Sequence, residues 1–174
     1  GVGARLEDLV GAYAGLNRGG LSGRVRYTAQ DPVADRRLLS PGAAWIIREV
    51  LEAHPRPGYG SGVLDTGGRP RVAWKTGTSY GFRDAWALGV DSRYVIGVWV
   101  GRPDGAPVAE QSGTSAATPL LFAVHDIVRH GLGAAPAWPA PPQAVVTRTI
   151  CWPGGQPPAD TNDASCRQRR QAWT

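Results

Sequence analysis

Val72-Ala73-Trp74-Lys75-Thr76-Gly77-Thr78 leads through a short connection to Ala85-Trp86-Ala87-Leu88-Gly89-Val90. Past Asp91-Ser92-Arg93 it continues to Tyr94-Val95-Ile96-Gly97-Val98-Trp99-Val100-Gly101. Three apolar, β-favouring runs with short polar links predict three consecutive antiparallel strands, the last two a hairpin. Val95, Ile96, Val98, Trp99 and Val100 make the third run apolar on both faces, which predicts a central strand covered on both sides. Trp74, Trp86 and Trp99 are expected in the core.

Helical patterns surround the runs. Leu6, Leu9, Val10, Tyr13 and Leu16 recur on one helical face, and Gly19-Gly20 stops that helix. Ser40-Pro41 opens a second helix, with Ser40 as N-cap and Pro41 at its first position; Pro55 and Pro57 end it. Ser115 to His130 reads as a third helix, with Leu120, Val124, Ile127 and Val128 expected on the buried face and Gly131 and Gly133 closing it. Arg24 to Thr28 alternates weakly, as a short strand would, and Asp31 to Asp35 reads as a turn. The order of helix, helix, three-stranded meander, helix predicts an α+β fold with helices packed on an antiparallel sheet. Gly58-Tyr59-Gly60-Ser61-Gly62 reads as a flexible loop; neither a Lys-Ser/Thr pair nor a helix start follows it, so it is not a phosphate cradle.

Ala134 to Pro142 is proline-rich and predicts a stiff, extended linker. Beyond it Val145 to Ile150 alternates like the first strand of a second module. The expected organisation is a main domain over 1–133, a linker over 134–142 and the start of a β-rich module over 143–174. Cys151 and Cys166 lie in that module; they are either a disulfide or two free thiols, and neither has a second Cys or a His at metal-ligand spacing. His54, His125 and His130 are expected to be structural.

The chain has 174 residues, a net charge of +5 and one lysine; its other 18 basic residues are arginines scattered along the sequence. Scatter of that kind argues against a nucleic-acid surface. No run approaches the ~20 apolar residues of a membrane span. With no methionine, the chain is expected to be a piece of something longer.

That single lysine is Lys75. Along its strand Thr76 and Thr78 fall on one face, about 7 Å apart. Two hydroxyls at that spacing suit the two oxygens of a carboxylate. Gly77 lets an extended peptide lie close to the backbone. At a sheet edge, free N–H groups would pair with such a peptide or face a developing oxyanion. Lys75 supplies positive charge, though alternation points it to the opposite face. Arg83 and Asp84 are expected either to pair and brace the hairpin or to line the cleft, and Tyr80 and Phe82 either to pack or to rim a groove.

Lys-Thr-Gly is one of three short motifs of serine enzymes that act on penicillin-like and D-alanyl substrates. Its setting here, Trp74-Lys75-Thr76-Gly77-Thr78-Ser79-Tyr80-Gly81-Phe82-Arg83-Asp84-Ala85-Trp86, resembles the C-terminal half of the transpeptidase domain of class A penicillin-binding proteins, in particular the type called 1C. Arg5 to Val10, Leu39-Ser40-Pro41, Pro119 to Phe122 and Cys151-Trp152-Pro153-Gly154-Gly155-Gln156 extend the resemblance over nearly the whole chain. It implies a three-layer sandwich of which this is part, and a reaction in which a serine takes the acyl group of D-Ala-D-Ala and passes it to an amine, cross-linking peptidoglycan. It assigns Lys75, Thr76, Gly77 and Thr78 to substrate binding, with Thr78 N–H toward the oxyanion. It implies no cofactor or metal, and a location on the periplasmic side of the bacterial inner membrane, reached through an N-terminal anchor outside this chain.

Two motifs of that family are missing. Val72 stands three places before the only lysine, so there is no Ser-x-x-Lys, and no serine has Asn two positions on. The nucleophile and its base are expected upstream of residue 1, so stem peptides and β-lactams would be bound only together with that upstream half. The chain alone is expected to be inactive and, with sheet edges uncovered, marginally stable. The competing expectation is a non-catalytic module that binds peptidoglycan or a partner.

Overall fold

A computed structural model describes residues 3–57, 71–130, 136–160 and 163–174, and the chain forms two units, Gly1–Pro139 and Ala140–Thr174. The loop expected at Gly58–Gly62 and the glycines Gly131 and Gly133 lie outside the described residues.

In the first unit the sheet is β3 (Ala73–Thr78), β4 (Asp84–Val90) and β5 (Val95–Gly101), all antiparallel, in the order β3-β4-β5. Thr76 lies opposite Ala87, and Ala87 opposite Val98. Among the described residues the central strand is therefore β4, not β5 as the apolar run predicted. Ala85 and Ala87 are fully buried on one face of β4, and Val90 is fully buried on the other. The larger residues of β5 stay only partly covered. Trp99, expected in the core, is 39% exposed, with its Nε1 donating to Asp84 Oδ1 at 2.9 Å. Asp84 is thus engaged by Trp99 rather than by Arg83.

One face of the sheet packs on α3 (Thr118–Arg129) and on the single π-helical turn before it (Gly113–Ala117). Trp74, Ala85 and Ala87 meet Ala117, Leu121 and Phe122 there, and Trp74 packs edge-on against Phe122 at 5.4 Å. The other face packs on α1 (Leu6–Asn17) and α2 (Pro41–Glu52): Ala73 and Val90 meet Leu16, with Tyr13, Leu39, Leu51 and Trp138 around them. The helices on these two faces make the fold α+β. Ser40 caps α2 as expected, its Oγ accepting from Ala43 N at 3.1 Å. Between α1 and α2 runs a two-stranded ribbon, β1 (Leu21–Gly23) with β2 (Asp35–Arg37). The strand expected at Arg24–Thr28 is loop, because Asp31 draws it into a turn by accepting from Tyr27 N and Thr28 Oγ1.

The buried face of α3 differs from the predicted stripe. Thr118, Leu121, Phe122 and His125 are buried, while Leu120, Val124 and Ile127 are 49%, 40% and 73% exposed. Two of the buried residues are polar and are invisible to an apolar count. Thr118 Oγ1 donates to Gly113 O at 2.9 Å, and His125 Nε2 meets Asp91 Oδ2 at 3.0 Å. Asp91 Oδ1 also accepts the amides of Arg93 and Tyr94, so the β4–β5 turn is tied to α3. His125 is structural, and His54 stacks on Trp74 with ring centres 4.9 Å apart.

Trp138 and Pro139, from the expected linker, lie against α2 within the first unit. The buried Arg48 guanidinium sits 4.6 Å over the Trp138 ring, pairs with Glu49 at 2.6 Å and reaches Pro139 O at 3.5 Å. The second unit is a hairpin of β6 (Thr147–Trp152) and β7 (Gln168–Trp173), and Cys151 is bonded to Cys166.

Candidate functional site at the open edge of the sheet

The site is built on β3, which among the described residues has a strand partner on one side only. Ser79 N donates to Asp84 O at 2.9 Å, which makes Ser79 and Asp84 a hydrogen-bonded pair. Alternation along an antiparallel ladder then turns the N–H and C=O of Gly77 and Lys75 toward β4, and those of Thr76 and Thr78 outward. Ser79 does not face a ligand; its Oγ accepts from Asp84 N at 2.8 Å and closes the turn.

The three side chains approach the edge from two faces. Thr76 and Thr78 share the face of Trp74, toward the π turn, and Lys75 starts on the other face. Its Nζ bends round the edge and donates to Thr76 O at 2.9 Å, and Lys75 is exposed. Curling of the long side chain thus overcomes the alternation. Thr78 Oγ1 accepts from Gly113 N at 3.0 Å. With that acceptor site filled, the hydroxyl proton is available to donate to an acceptor outside. Sequence reasoning missed Gly113. A Cβ there would lie 2.6 Å from both Gly77 O and Trp86 O and 2.8 Å from Thr76 Cβ. No sequence pattern signals it, because the contact joins distant parts of the chain. Ser112 and Ser115 hold the turn by a reciprocal capping box, with Oγ–N distances of 3.0 Å.

Tyr80 is fully exposed and Phe82 is 49% exposed, both in the turn between β3 and β4. Phe82 holds φ 56°, fixed by its N–H to Ser79 O and by Val108 N to its own carbonyl. A bulky residue at positive φ is strained, and such strain concentrates at functional sites. Elsewhere, a cleft of about 580 Å³ opens between the start of α1 and the β1–β2 ribbon, lined by Arg5, Glu7, Tyr27 and Arg36. In it Arg5 pairs with Glu7 and Asp8, and Tyr27 Oη donates to Glu7.

Comparison with known proteins follows from this geometry. The chain is 47% identical to penicillin-binding protein 1C of Escherichia coli (strain K12) over 99% of its own length. Residues 144–174 match the family model described as the penicillin-binding protein 1C linker domain. The chain belongs to the class A penicillin-binding proteins of the 1C type. It spans 22% of the length of the Escherichia coli protein. Half of it is 32% identical to penicillin-binding protein 1B of Vibrio cholerae, covering 11% of that protein. The crystal structure of penicillin-binding protein 1A from Haemophilus influenzae shares its fold, with a TM-score of 0.68 and 17% identity over 95% of this chain and 31% of that one.

Proposed function

We propose that the chain is the C-terminal part of a peptidoglycan D,D-transpeptidase domain, one portion of its three-layer sandwich, joined by a linker to an extension. The reading rests above all on the outward N–H and C=O groups of Thr76 and Thr78 with Lys75 Nζ bent onto the same edge. A stem peptide would lie along β3 as an added strand. Its terminal carboxylate would take the Thr76 and Thr78 hydroxyls and the charge of Lys75. Gly77 leaves the approach open.

The serine that attacks the D-Ala-D-Ala carbonyl belongs to the longer protein. As its oxygen bonds to carbon, the carbonyl oxygen becomes an oxyanion, for which Thr78 N–H is a donor. The peptide bond then breaks, D-Ala leaves with a proton, and an amine of a second stem peptide displaces the serine. β-Lactams would acylate the same serine. The whole protein, a glycosyltransferase as well as a transpeptidase, would work on the periplasmic side of the inner membrane.

Labelling by a fluorescent penicillin tests this. The full-length protein is expected to label, the 174-residue chain to remain unlabelled, and Lys75→Met or Thr78→Val in the full-length protein to slow labelling at least tenfold, the loss of one charged hydrogen bond. Stoichiometric labelling of the chain alone, or an unchanged rate in both variants, would overturn the proposal.

A further inference from the structure

The hairpin of residues 140–174 uses one face to hold itself together and leaves the other open. The disulfide at Cys151, the bond from Gln171 Nε2 to Thr149 Oγ1 at 3.0 Å and that from Arg169 Nη2 to Asp160 O at 3.1 Å belong to the first face. The register puts Arg148, Ile150 and Trp152 of β6 on the second, beside Gln168, Arg170 and Ala172 of β7. Arg148 and Arg170 are exposed, and Trp152 is 48% exposed. Neither arginine has a carboxylate partner among the described residues. The unit carries four arginines against two aspartates, and Asp163 is committed to Ala159 N and Ser165 N at 2.9 Å each.

Arg170 Cζ stands 4.8 Å over the Trp152 ring. Stacking on an indole fixes the guanidinium plane while its in-plane N–H fork stays free, and that fork matches a carboxylate. Arg148 is the diagonal neighbour of Arg170 across the ladder, about 7 Å away at Cβ. Two separated forks, one backed by the Trp152 indole and with Ile150 beside them, suit a polymer that carries carboxylates at intervals along a partly apolar backbone. A phosphate polymer or a lipid surface is met instead by dense basic clusters.

We propose that this face docks the carboxylate-bearing glycopeptide of the cell wall, so that the extension holds the polymer on which the protein works. The proposal deepens the cell-wall reading above and rests on it.

Full-length protein is first blocked with excess penicillin, then sedimented with purified insoluble peptidoglycan. The unaltered protein is expected to sediment. The R148Q/R170Q double variant is expected to lose retention about tenfold or more, the loss of one or two charged hydrogen bonds. Arg167→Gln, before β7, leaves retention unchanged. Peptidoglycan whose carboxylates have been amidated should hold the unaltered protein as weakly as native polymer holds the double variant, a result that does not depend on how the variant folds. Equal retention of the double variant, equal binding to amidated polymer, or capture by anionic phospholipid vesicles in place of peptidoglycan would each overturn the proposal. Penicillin labelling of the same preparations before blocking separates the two readings. Normal labelling with no retention removes this one alone, and absent labelling removes the transpeptidase reading.

Discussion

Gly113 lies over the carbonyls of Gly77 and Trp86, and of the two glycines the fold needs only Gly113. A Cβ on Gly77 would meet nothing nearer than 3.5 Å, an ordinary contact, whereas a Cβ on Gly113 would strike two carbonyl oxygens and Thr76. Gly77→Ala should therefore leave thermal stability unchanged or raise it by about 0.5 kcal/mol, since glycine weakens a strand, while slowing penicillin labelling of the full-length protein. A fall in melting temperature with normal labelling would reverse the assignment. Gly113→Ala should cost about 2 kcal/mol, as overpacking does, and slow labelling too by breaking the bond to Thr78. Lys75 and its neighbours were legible because a single lysine stands out and the flanking motif is local. Gly113 was not, because its role depends on strands that only the folded chain brings beneath it.

The third helix and the hairpin turn show where pattern reading stops. Periodicity located α3 but chose its apolar stripe, while the fold buried a threonine and a histidine that satisfy Gly113 O and Asp91. Apolar content likewise predicted β5 as central, where among the described residues β4 is the strand with a partner on each side. Neither buried polar pairing nor strand pairing is visible in a count of apolar residues. Burial by itself would push the Asp91 carboxyl up, but the hydrogen bonds from His125 and from the amides of Tyr94 and Arg93 outweigh it and hold it below the usual carboxylate range. A depressed carboxylate stabilises the fold above its unfolded value, about 3.9, and that contribution is lost as pH falls through the folded value. Asp91→Asn should flatten the decline of melting temperature below about pH 4 and lower stability at neutral pH by about 1–3 kcal/mol. An unaltered acid limb would show that the turn does not depend on the charge.

At the scale of the whole molecule, the two units divide after Pro139, inside the stretch expected as a linker over 134–142. The linker's grip on α2 was not readable, because Arg48 and Trp138 are ordinary residues until the fold stacks them. Reduction should destabilise the hairpin unit by about 3 kcal/mol, from the loop that Cys151 and Cys166 close. The Gly1–Pro139 unit, which has no cysteine, should melt unchanged; a common shift in both would show that the units unfold together. Both β3 and β5 present an unpaired edge among the described residues. The 174-residue chain should therefore self-associate at micromolar concentration in sedimentation velocity, and a single monomeric boundary would show the edges to be protected. The clamp on Trp138 and Pro139 also has a mechanical sense. Tension applied beyond Ala140 reaches the first unit through a cation stacked on an indole, and α2 passes it to the root of the strand that carries Lys75. A pull on the hairpin would be a pull on the frame of the strand edge at Lys75.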